Sequence, residues 1–194
     1  SIMILSLSSC KNDNGSNSIF IQGGGTLDDW ANLSKYDESN KKLMNEIDEN
    51  RVVFMGNSIT EGWSNFDPDF FIKNPYINRG ISGQTTPQML IRFKPDVVNL
   101  KPKSVVILAG INDIAENTGP IKIENIAENI FSMTEIALAN NIEVFICSVL
   151  PAKAFPWSPS IKNVAKKVIK LNSILEKYCI DNKIQYVDYH SEMD

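Results

Sequence analysis

The 194-residue chain has one histidine, His190, and three cysteines, Cys10, Cys147 and Cys179. A mechanism that needs an imidazole therefore has a single candidate within these residues. The cysteines lie far apart and fit neither a zinc-ligand spacing nor a disulfide framework, so no metal site is expected, and Cys147 and Cys179 read as buried apolar residues. Positive charge is also short: 19 Lys and Arg face 23 Asp and Glu, a net charge of −4. With no basic stripe, nucleic acid is not an expected partner and small or neutral substrates fit better. No apolar run is long enough to span a bilayer, and no internal repeat is visible. The turns lack a glycine-rich phosphate cradle, which argues against a flavodoxin-like phosphate binder.

What is present begins with a break in composition. Residues 1–18, SIMILSLSSCKNDNGSNS, pass from an apolar run through small residues to a cysteine and then to a polar tract. Leu7, Ser8, Ser9 and Cys10 match the lipobox of bacterial lipoproteins: an aliphatic residue, two small residues and the cysteine that receives the lipid. The apolar segment is short and lacks an initiating Met and a basic start, so the chain is expected to begin inside a signal peptide. Residues 1–25 are read as signal remnant and flexible tail. Cys10 is read as the lipidation site, with a lipid anchor as the only membrane contact and the bacterial cell envelope as the location.

Residues 26–194 read as one domain, since 43% hydrophobic residues over this length supply one core. From Thr26 to Asn50, Trp30, Leu33, Tyr36, Leu43, Met44 and Ile47 recur at helical spacings. Val52 to Met55 is a short apolar run ending at Gly56, as expected of a strand buried on both faces. Further strands are predicted at Pro75–Asn78, Ser104–Ala109, Glu143–Val149 and Ile184–Tyr189. Helices are predicted after Ser58, from Thr86 towards Phe93, and over about Ile123–Ala139 and Ser160–Asp181. Strands alternating with helices imply a three-layer α/β/α sandwich with a five-stranded parallel sheet in the flavodoxin-like order 2-1-3-4-5. In that order Ser58, the Gly83 loop and Asn112 all leave the sheet at the crevice where chain direction reverses.

Three turns carry the chemistry: Gly56-Asn57-Ser58-Ile59-Thr60, Gly80-Ile81-Ser82-Gly83-Gln84-Thr85 and Gly110-Ile111-Asn112-Asp113. In that order and at those separations they resemble the first three sequence blocks of the SGNH superfamily, or GDSL hydrolases, and within it bacterial lysophospholipase-like and carbohydrate-esterase-like members. The resemblance covers roughly Val52 to Asp194. It implies a serine esterase that cleaves short acyl or acetyl esters, including carbohydrate-linked ones, through an acyl-enzyme and without a cofactor. Ser58 is then the nucleophile, and the backbone N–H groups of Ser58 and Gly83 with the Asn112 amide form the oxyanion hole. Asp113 is expected to brace its loop. Asn57 stands where the family name expects aspartate.

The family's fourth block, Asp-x-x-His, is missing. His190 follows Asp188 by two residues at the end of the last predicted strand, a spacing that does not easily let the carboxylate reach the imidazole and leave it facing a serine, so His190 stays the lesser alternative as base. The expectation is that the catalytic Asp and His lie beyond Asp194. The alternative is a lipoprotein on the same scaffold that binds a glycan or ester without turnover. Trp63, Phe155 and Trp157 are candidates for an apolar or sugar-stacking side of the cleft, although such aromatics are more often packing.

Overall fold

The computed structural model describes residues 9–11, 17–19 and 25–193. Leu7 and Ser8 of the lipobox lie outside them. A separate antiparallel pair, β1 (Ser9–Lys11) with β2 (Asn17–Ile19), contains the Cys10 backbone. The main sheet has five parallel strands: β3 (Val52–Gly56), β4 (Tyr76–Gly80), β5 (Ser104–Leu108), β6 (Glu143–Cys147) and β7 (Gln185–Val187). Their order, β4-β3-β5-β6-β7, is the predicted 2-1-3-4-5. Gly56 pairs with Gly80 on one side and Leu108 on the other, so three strands end at one level.

Alternation along β3 assigns its side chains to two layers. Val53 and Met55 face the main core, against α4 (Thr86–Asp96), α6 (Ile123–Ala139) and α7 (Val164–Asn182), which pack side by side. Ile126, Ile130, Met133 and Ala137 form the buried stripe of α6. Phe54 points to the other face, beneath α2 (Ser58–Phe66) and α3 (Pro68–Ile72). There its ring lies 5.6 Å from Trp63, Phe70 and Phe71 and 5.3 Å from Tyr76. Such aromatic pairs contribute about 0.5–1.5 kcal/mol each beyond burial. Trp63 packs in this layer against Phe54, Phe70 and Phe71.

The structure corrects several boundaries. Thr26–Asn50 is not one helix: a 3-10 turn (Leu33–Tyr36) leads into α1 (Asp37–Met44). Asp29 takes the N–H groups of Leu33 and Ser34 at 2.7 and 2.9 Å, and Asn32 is left-handed at φ 54°, so helical structure cannot extend back to Thr26. α7 starts at Val164 because Asn163 is left-handed at φ 57°. The last strand stops at Val187, and His190 lies in a short helix, α8 (Tyr189–Met193).

Candidate active site

Ser58 is the first residue of α2, and its side chain is exposed. Asn57 caps the helix through Oδ1, which accepts the Ile59 N–H at 3.0 Å. The first intrahelical bond runs from the Glu61 N–H to the Asn57 carbonyl at 2.8 Å, so the Ser58 N–H keeps the free position of a first-turn donor. The passage from strand to helix is tight. A Cβ on Gly56 would lie 2.0 Å from Thr60 Oγ1, and one on Gly80 would lie 2.2 Å from the Glu61 nitrogen.

The β4 loop arrives beside this turn, tied to it when the Ile81 N–H donates to the Gly56 carbonyl at 3.1 Å. Ser82 donates its N–H to Glu61 at 2.8 Å and its hydroxyl to the same carboxylate oxygen, while Lys35 pairs with the other oxygen at 2.6 Å. Burial alone would push the Glu61 carboxyl up, but these donors hold it below its ordinary value. Gly83 follows at φ 78°, a conformation that suits glycine. Its carbonyl accepts from Asn117 Nδ2 at 3.0 Å, and its N–H has no partner among the described residues.

The third turn begins at Gly110, left-handed at φ 117° and pressed against Leu171, and continues into α5 (Ile111–Ile114). Asn112 is buried and donates one amide hydrogen to the Gln84 carbonyl at 3.0 Å. The amide has a second hydrogen, which that bond leaves available. Asp113 accepts the Thr86 N–H at 3.0 Å and the Thr86 hydroxyl at 2.6 Å, bracing the start of α4. Desolvation outweighs those bonds and pushes its carboxyl up to about 7. The three predicted positions thus sit on turns at one sheet edge, the middle one bonded to each of the other two.

A buried polar network under these turns was not foreseen. Arg92 is 0% exposed and pairs with Asp96 at 2.8 Å. It also donates to the Gly56 carbonyl at 3.1 Å and to Gln84 Oε1. One guanidinium therefore grips the strand end before Ser58 and the residue whose carbonyl holds Asn112. Asn40 links Asp96 to Arg79, whose guanidinium lies 4.5 Å over the Tyr36 ring. In sequence an arginine four residues before an aspartate on a helix reads as a surface pair. The available signal was its position among Met89 and Phe93, on the buried face.

His190 is not brought to Ser58. Its N–H donates to Ser148 Oγ at 2.8 Å, beyond β6, and Asp188 accepts from the Ser191 N–H at 3.2 Å and the Ser191 hydroxyl. Strand spacing puts the end of β7 about 14 Å from β3 across the sheet. Phe155 is buried, whereas Trp157 is exposed. No cluster of three or more His, Cys, Asp or Glu suited to a metal occurs among the described residues.

The five-stranded parallel sheet in the order 2-1-3-4-5, with helices on both faces, is an α/β fold that matches GDSL hydrolases. The chain belongs to the GDSL-like Lipase/Acylhydrolase family, whose model matches residues 54–194. Ester hydrolysis is the general chemistry of that family. A GDSL-like lipase of Bacteroides thetaiotaomicron is 51% identical, with a TM-score of 0.82 over 84% of this chain and 80% of its own. A protein of Bacteroides fragilis is 52% identical, with a TM-score of 0.81 over 85% and 80%. The lipoprotein YqeF of Bacillus subtilis (strain 168) is 32% identical over 78 residues, which span 39% of this chain and 32% of YqeF.

Proposed function

We propose that this protein is a serine esterase for short acyl or acetyl esters, including those carried on carbohydrate, with Ser58 as nucleophile. The reading is supported by the exposed Ser58 at the start of α2 and by the Gly80–Thr85 turn, which is hydrogen-bonded both to the Ser58 turn and to Asn112. Attack of Ser58 Oγ on the ester carbonyl forms the C–O bond and moves the π electrons to the carbonyl oxygen. Donors aimed at that oxygen lower the barrier because they need no reorganisation as charge develops. Collapse expels the alcohol, which takes up the serine proton through a general base, and water then repeats the sequence on the acyl-enzyme.

The base is not His190 in this proposal, because its peptide is fixed at the β6–β7 end. The base and its carboxylate are proposed to follow Asp194 in the natural protein. The test is hydrolysis of a chromogenic acetyl ester by the 194-residue chain and by the protein carried to its natural C-terminus. The longer protein should be active, lose activity on Ser58→Ala and be nearly indifferent to His190→Ala. Full activity in the 194-residue chain that His190→Ala abolishes would make His190 the base. Inactivity of the longer protein with retained ester binding would favour the non-hydrolytic glycan- or ester-binding reading.

Anchoring through Cys10 is part of the same proposal, supported by the lipobox and by YqeF being described as a lipoprotein.

A further inference from the structure

Of the three aromatics considered for the cleft, two serve elsewhere: Trp63 stacks on Phe70 at 4.5 Å, and Phe155 is 2% exposed. Trp157 is 57% exposed, although folding normally covers most of an indole. Even so, the ring is held. Its turn is closed by the Ser158 N–H donating to the Phe155 carbonyl at 3.0 Å, and Pro156 restricts the backbone within it. The indole leans on the Phe155 ring at 5.2 Å and 38°. Its Nε1–H donates to Asn117 Oδ1 at 3.3 Å, and Asn117 Nδ2 donates to the Gly83 carbonyl at 3.0 Å. The exposed indole and the Gly83 turn are therefore two hydrogen bonds and one amide group apart.

We propose that Trp157 is the platform of a subsite for the alcohol half of the ester, and that this alcohol is a sugar. The inference rests on Ser58 and Gly83 acting as described under Proposed function. A pyranose presents a flat face of C–H groups edged by hydroxyls. The indole offers one flat apolar face, and the chain beside Asn117 is polar. Glu116 pairs with Lys167 at 3.8 Å, and Thr118 hydrogen-bonds Thr85 at 3.0 Å. A long acyl chain would need an enclosed apolar trough instead, because a single exposed ring leaves most of its methylenes in water. In a sugar ester the sugar is the alcohol, so the platform belongs to the leaving-group side.

The binding test uses Ser58→Ala protein, which leaves the probe intact, and mono-O-acetylated methyl glucopyranoside and xylopyranoside. Titration should give a saturable change in tryptophan fluorescence with at least one probe. Trp157→Ala should remove that signal and weaken calorimetric affinity tenfold or more, while Trp157→Tyr, which keeps a ring face, should stay within a few-fold. Unchanged affinity in Trp157→Ala, or tighter binding of ethyl decanoate than of both sugar esters, overturns the proposal. In the active enzyme, Trp157→Ala should lower kcat/KM for the acetyl sugar tenfold and leave ethyl acetate within twofold. Equal losses on both substrates also overturn it, with Ser58 unaffected. Hydrolysis that survives Ser58→Ala would instead defeat the nucleophile assignment, and the binding arm would still judge Trp157.

Discussion

At the scale of single residues, Asn112 and Asp113 are neighbours with separable duties. In the proposed mechanism Asn112 offers a hydrogen to the developing oxyanion, so Asn112→Ala should lower kcat by about 10²–10³, the cost of one such donor in comparable sites. KM should change much less, since a ground-state carbonyl carries little charge. Asp113 holds Thr86, and its carboxyl is raised from 3.8 to about 7 by burial. A carboxyl raised on folding binds more protons folded than unfolded. The contribution of Asp113 to stability is therefore greatest at low pH and falls as pH rises from about 4 to about 7. Thermal denaturation across that window should show the fall in wild type and a flatter profile in Asp113→Asn. An equal slope in both would remove Asp113 as its cause.

At the scale of elements, β3, β4 and β5 end in register, and a buried guanidinium fastens the end of β3 to Gln84 in the loop after β4. Arg92→Met leaves Asp96 buried beside Asn40 without its counter-charge and should cost about 3–5 kcal/mol. The double variant Arg92→Met with Asp96→Leu should recover much of that loss in urea denaturation, because it removes the uncompensated charge. Failure to recover would mean that the bonds to Gly56 and Gln84, rather than the ion pair, carry the stability. This network also marks where sequence reading stopped. β3, β5 and β6 were legible because each is largely a run of β-branched and apolar residues ending at a turn, and α6 spans Ile123–Ala139 as its stripe indicates. The break before Leu33 was not, because it depends on the Asp29 side chain competing for backbone N–H groups, a choice that hydrophobic periodicity does not record. Burial of Arg92 was hidden for a related reason: the acceptors that make it tolerable come from residues 8 and 36 positions away.

At the scale of the whole molecule, the sheet brings together turns that are 25 and 29 residues apart in the chain, Ser58 to Gly83 and Gly83 to Asn112. The sequence made those three turns legible because each follows a strand; it misplaced His190, whose helix is set by Asp188 capping Ser191 and by Ser148. Outside the domain, Cys10 offers one attachment point. Mass spectrometry of the native N-terminus should find a lipid on Cys10 and no residues before it, whereas an unmodified Cys10 inside an intact chain would rule the anchor out.

Whether one ester carbonyl reaches Ser58, Gly83 and Asn112 together is decided by a crystal structure of the natural-length protein inactivated by a short-chain phosphonate. Phosphorus should be bonded to Ser58 Oγ, with one phosphoryl oxygen about 2.7–3.1 Å from the Ser58 nitrogen, the Gly83 nitrogen and Asn112 Nδ2. A phosphonate on a different residue, or a phosphoryl oxygen turned away from Asn112, would contradict it.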